Sequence, residues 1–193
     1  MRKCSIVLLI AMFTLLIGGC SGKFSSQSFL REDVDLDLIN RLVVLPFENH
    51  TDDKYAAQRV RDVAITQVLA MGISDVVDMG IVDSVMMEEV IDPGKPIDLL
   101  NLKRLAQRLN VEAFLLGSID ESGEVRKGTI AFPDLAVTLR LVDSKSSVVI
   151  WQSSARWSAD SMAGRLFGLA PTDKFHITLK LMKKMLSTIP AKK

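Results

Sequence analysis

Few side chains in this sequence could carry chemistry, and they fall at four places. Cys20 follows Gly18 and Gly19 at the end of an apolar run, where a thiol at a newly cut N-terminus could take an acyl group. His50 stands in the turn Asn49-His50-Thr51-Asp52-Asp53. One imidazole and two carboxylates could hold a metal ion. A polar turn that caps the next helix explains the same residues more simply. Asp120 and Glu121 could act as an acid pair, but they follow an apolar stretch and precede Gly123, the composition of a solvated turn. His176 lies on a predicted helix with Asp173 three residues before it and no Ser or Cys nucleophile beside it. It reads as a surface histidine near a helix start. Neither G-x-x-x-x-G-K-[ST] nor G-x-G-x-x-G occurs. No catalytic residue and no metal ligand is assigned, and the chain is expected not to be an enzyme.

The thiol has the most informative surroundings. Arg2 and Lys3 precede an apolar core from Ser5 to Ile17, 13 residues long. A helix that spans a bilayer needs about 20 apolar residues; the shorter run is that of a secretory signal. Leu16-Ile17-Gly18-Gly19-Cys20 resembles the lipobox of bacterial lipoproteins, with an aliphatic residue, two small residues and then Cys. The resemblance implies cleavage after Gly19 and a lipid on Cys20, diacylglycerol on sulfur and an acyl chain on the new amine. No other cofactor is expected. Cys4 leaves with the signal, so no thiol remains for a disulfide, a metal or a nucleophile. Such a chain is anchored to a membrane and does not span it. Ser21, where an Asp would signal retention, implies the outer membrane and its periplasmic face.

Removal of residues 1–19 leaves 174 residues, enough for one domain with a sizeable core. With 48% apolar and 24% charged residues, the chain is neither disordered, collagen-like nor a disulfide framework. Without Arg2 and Lys3 it carries 22 basic and 23 acidic residues, net charge −1. A nucleic-acid binder usually shows a strong basic excess, so no nucleic-acid partner is expected.

Residues 20–40 are read as the lipidated Cys and a tether. The Ser-rich stretch 21–30 has no period and reads as flexible; residues 31–40 alternate weakly and are expected to dock on the domain edge. The domain is assigned to residues 41–190. Residues 41–47 (RLVVLPF) read as a buried strand ended by Pro46. A helix is predicted over 54–71, with Val60, Ala64 and Val68 on one face and Gly72 as its stop. A strand over 73–78 and helices over 80–91 and 97–109 follow. Residues 112–119 (EAFLLGSI) are almost wholly apolar and read as a central strand. Val137, Leu139 and Leu141 alternate with Thr138 and Arg140, and a second extended run spans 148–157. A turn at 143–147 makes the two an antiparallel hairpin. The last helix is predicted over 172–188, with Phe175, Leu179, Met182 and Leu186 as its stripe, widened by Ile177, Leu181 and Met185. The fold class is α/β: a single domain, a mixed sheet with helices packed on it, closed by a C-terminal helix.

Three segments, Arg41 to Asn49, Val111 to Ile119 and Leu135 to Trp151, together with the lipobox, resemble a periplasmic lipoprotein group. That group includes CsgG of curli secretion, LpoB, an activator of a penicillin-binding protein, and the N-terminal domain of TolB. The resemblance covers about residues 41–155 and rests on strand cores, which specify fold better than function. One departure is the hairpin turn, where the group commonly has Thr-Gly and this chain has Ser146-Ser147. The resemblance implies a non-enzymatic module that docks on another envelope protein. The alternative is an oligomeric component of a CsgG-like secretion apparatus, which leaves a homo-oligomer open. A transmembrane barrel would need strands of about 9–11 alternating residues, and residues 120–129 (DESGEVRKGT) are short and charged.

The partner-binding candidates are Arg165, Leu166, Phe167 and Leu169, in a Gly-flanked apolar loop ahead of the last helix. Exposed, such a patch marks an interaction site; folded back, it covers the core. Lys103, Arg104 and Arg108 share a helix face, which reads as a solvated face before it reads as a contact for acidic groups.

Overall fold

A computed structural model describes residues 23–127, 130–158 and 173–190. Cys20 and the loop residues Arg165, Leu166, Phe167 and Leu169 lie outside the described residues. The described strands are β1 (Lys23–Leu30), β2 (Arg41–Val44), β3 (Glu48–Asn49), β4 (Asp75–Val76), β5 (Ala113–Lys127), β6 (Ile130–Asp143) and β7 (Val149–Ser158). The helices are α1 (Ala56–Ala70), α2 (Met79–Glu88), α3 (Leu99–Leu109) and α4 (Lys174–Leu186). One mixed sheet runs β1-β7-β6-β5-β2-β4, with β3 paired to β5. The parallel pairs are β2 with β4, β2 with β5 and β3 with β5; the others are antiparallel. No described helix is long and apolar enough to cross a membrane.

Alternation along β2 sends its side chains to both faces. Leu42 and Val44 join one core with α1, α4, Leu115, Leu139 and Trp151. Val43 and Leu45 join a second core with α2, α3 and Phe114. The first core spans the sheet from β2 to β7, whereas the second covers only the β2 side. On the other half of that face Thr138, Arg140, Gln152, Ser154 and Arg156 are polar and at least partly exposed.

Three features depart from the sequence reading. Residues 23–30 form an edge strand in register with β7, from Lys23 opposite Ser158 to Leu30 opposite Trp151, where a flexible tether was expected. Serines lack a period, yet a strand at an edge needs one neighbour and can leave most side chains in water. Residues 120–127 continue β5 instead of turning, because their partners on β6 run opposite them as far as Ile130. Asp120 is the extra residue of a bulge between Ile119 and Glu121. Finally, the buried stripe of α4 is Ile177, Leu181, Met182, Met185 and Leu186, and Phe175, 62% exposed, is outside it. Phe175 sits in the first turn, beyond the cover of the sheet.

The hairpin turn shows what the Ser pair costs. The Asp143 carboxylate accepts from Ser146 N at 2.7 Å, and Ser147 N donates to Asp143 O at 2.9 Å. Ser147 adopts φ +58°, and its hydroxyl is buried without a partner. A side chain at this φ is strained by about 1–2 kcal/mol, and glycine is not, although it loses more backbone freedom on folding. Ser147→Gly is expected to raise the free energy of unfolding by about 0.5–1 kcal/mol; an unchanged urea midpoint would show the turn is already relaxed.

Candidate functional site

Two neighbouring surfaces share Ser122 and Asp134 at their border. The first is a groove of about 320 Å³ between α1, α4 and the β5–β6 hairpin. Val60, Val63, Leu135 and Ile177 line it, and Phe175 stands at its rim. Asp53 organises the polar side of the rim. It pairs with Arg59, accepts from Ser122 Oγ at 3.3 Å and has Lys174 Nζ at 4.0 Å. Partial burial pulls the Asp53 pKa upward, but the Arg59 hydrogen bond and charge prevail and hold the carboxyl below its usual range. An apolar groove with a charged rim can seat an apolar side chain of a partner while the rim orients it.

The second surface is the polar part of the sheet that no described helix covers. The His50 ring lies between two carboxylates, with Nε2 3.6 Å from Glu48 and Nδ1 3.4 Å from Asp120. Asp120 also accepts from Ser118 Oγ at 3.1 Å and Thr138 Oγ1 at 3.2 Å, so the bulge turns its carboxylate toward β3 and β6. Arg156 bridges Asp134 at 2.5 Å and Glu121 at 2.7 Å. Asp134 is buried. A hydrogen bond from Glu121 to Asp134, with burial behind it, raises the Glu121 pKa above the usual carboxylate value, against the pull of Arg156. The proton is therefore held more tightly in the folded chain. The stability it brings is full below the unfolded pKa and is lost as pH rises through the folded one. Glu121→Gln keeps a donor toward Asp134 at every pH. On titration from neutral pH into the carboxylate range, the wild type is expected to gain stability relative to this variant; parallel pH profiles would show the pair is not coupled.

The sequence candidates disperse. His50 and Asp53 face different partners, and the turn between them is held by Asn49, whose Oδ1 accepts from Thr51 N at 3.1 Å. Among the described residues no group of three or more His, Cys, Asp and Glu could hold a metal ion. Arg108 pairs with Glu88 and Glu89, and Arg104 lies 3.7 Å from Glu89, so both have partners within the chain. His176 is exposed. Asp134 and Arg156, which tie the polar face together, escaped the sequence reading. Their only signal is a charged residue at alternate positions of strands that otherwise bury their other face.

No family model matches the chain, and no curated protein matches it. Its fold has counterparts among solved structures. A PelC dodecamer from Paraburkholderia phytofirmans matches with a TM-score of 0.62 at 17% identity, over 89% of this chain and 100% of that one. Lipoprotein GNA1162 from Neisseria meningitidis matches with a TM-score of 0.54 at 20% identity, over 67% of this chain and 92% of that one. The LpoB C-terminal domain from Salmonella enterica aligns at 15% identity and a TM-score of 0.47, over 65% of this chain and 86% of that one. At these identities the likeness is one of fold: a single α/β domain with a mixed sheet, closed by a C-terminal helix.

Proposed function

We propose that this chain is a lipoprotein anchored through Cys20 on the periplasmic face of the outer membrane, where its domain is a non-enzymatic interaction module in cell-envelope assembly. The observation that carries the docking part is the apolar groove with its Asp53, Arg59 and Lys174 rim. The anchor rests on the run Leu16 to Cys20. The fold shared with a protein described as a lipoprotein supports the same setting.

A photo-crosslinking residue at position 175, in intact cells, tests the docking part. One dominant foreign envelope protein among the adducts is the expected result. Phe175→Asp is expected to lower recovery of that partner several-fold while leaving the thermal midpoint unchanged, because the ring is mostly in water. Capture that is indifferent to position 175 would remove the groove from the docking surface. A ladder of self-adducts would favour the second reading, an oligomeric envelope component. That reading is supported by the dodecameric state of the PelC structure and by the exposed Met87, Val90, Leu99 and Leu100.

A further inference from the structure

Because residues 23–30 form a strand of the sheet, the domain begins close to the Cys20 anchor. Only two residues, Ser21 and Gly22, separate Cys20 from Lys23, the first residue of β1. The three Cα–Cα steps span at most about 10 Å. That is the range over which surface charges act at physiological ionic strength, about 8 Å.

The flank beside β1 is basic. Helix α4 reads KFHITLKLMKKML and contains no acid. Lys180, Lys183 and Lys184 are exposed, and none pairs with a described carboxylate. Lys180 and Lys184 stand beside an aromatic platform. Phe24 of β1 and Trp157 of β7 lie 5.6 Å apart, ring to ring. Lys184 Nζ is 4.1 Å from the Phe24 ring and 5.1 Å from the Trp157 ring. Lys180 Nζ is 6.0 Å from Trp157. The sheet edge completes the surface. Arg31 N donates to Ile150 O, so the odd residues of β1 bond to β7 and the even ones, Phe24 to Leu30, turn their N–H and C=O groups outward. No charge occurs from Phe24 to Leu30. Amines, a neutral strand edge with open hydrogen-bonding groups, and a short chain to the anchor suit the phosphates of a lipid surface.

We infer that the flank formed by Lys180, Lys183 and Lys184 of α4 and the outer edge of β1 rests on an anionic lipid surface. This inference rests on the Cys20 anchor for its proximity argument, while the lysines and aromatic rings stand on their own. The groove at the start of α4 is then presented close to the membrane.

The test uses the full lipoprotein extracted from cells in detergent, then inserted from outside into vesicles of phosphatidylcholine, with or without phosphatidylglycerol. Flotation reports membrane association. A water-soluble amine reagent reports exposure of the three lysines by mass spectrometry, with Lys54 and Lys103 as internal references. Flotation in both vesicles, with labelling of Lys180, Lys183 and Lys184 reduced about fivefold or more only when phosphatidylglycerol is present, supports the inference. The protection should fade in high salt. Flotation in both with uniform labelling overturns it and leaves the anchor standing. Flotation only with phosphatidylglycerol, lost in the triple Lys→Gln variant, supports the inference and overturns the anchor. Flotation in neither overturns both. Protection already present in detergent, in a particle of twice the mass, overturns the inference in favour of a second copy paired along β1.

Discussion

Asp83→Ala is expected to lower the free energy of unfolding by about 2–4 kcal/mol, measured by urea denaturation. The reason is the cation it leaves behind. Arg61 lies on α1 with its side chain only 2% exposed. Its Nε donates to Val44 O at 3.1 Å, and its NH1 donates to the Asp83 carboxylate at 2.9 and 3.2 Å. Its NH2 is buried without a partner. The pair links α1, on the first core, to α2, on the second, around the end of β2. Removing Asp83 strands a buried guanidinium, which costs more than the net worth of the ion pair. Asp83 itself is half-exposed, so the loss falls below that of a wholly buried pair. The double variant Arg61→Met with Asp83→Ala removes the stranded charge and is expected to recover most of the loss. A single variant as stable as wild type would mean that water reaches Arg61. The exposed pair Lys95–Asp92, at 2.7 Å, is the contrast. Asp92→Ala should leave the urea midpoint where it is, because both groups stay solvated in either state. Because α1 also forms one wall of the groove, Asp83→Ala should weaken partner capture at position 175 along with the fold.

Cys20→Ala is expected to abolish recovery in the outer-membrane fraction, a change of orders of magnitude and the largest effect proposed for this chain. A single acyl chain gives only marginal membrane binding, and stable anchoring needs at least two signals. The other thiol, Cys4, lies in the basic and apolar N-terminal run, so no cysteine after Cys20 can substitute. The apolar run before it is too short to serve as a spanning helix. The domain's thermal midpoint should not change, since Cys20 precedes β1, the first described strand, which begins at Lys23. A variant that still fractionates with the outer membrane would overturn the anchor. The two variants separate cleanly: one loosens the domain in place, and the other releases an intact domain.

Much of the fold is legible in the residues. Val60, Ala64 and Val68 repeat at helical spacing, and they form the buried face of α1. Gly72, at φ +64°, stands just past its end, as a glycine stop requires. The alternation at Val137, Leu139 and Leu141 makes a strand with one covered face. The apolar run through Phe114 and Leu115 makes a strand covered on both. In each case the side chains that specify the element are also those that bury it, so the signal is local. The hidden parts lack that coincidence. The serines of β1 bury little and are held by backbone bonds to β7, which no pattern within 23–30 announces. The charges of 120–127 read as a turn because their partners, Asp134 and Arg156, come from later strands.

By itself the sequence determined an α/β chain with a basic and apolar N-terminal run, a single thiol beyond that run, the helices and the longer strands after residue 40 in their order, and most of their core residues, because hydrophobic period and turn chemistry act over a few neighbouring residues. Only the tertiary structure decided that β1 closes the sheet edge, that α1 and α4 leave a groove, that Arg61 is buried against Asp83, and that the lysines of α4 stand over Phe24 and Trp157. Each of those depends on groups far apart in the chain, whose meeting is fixed by strand order and layer packing and is written in no single segment.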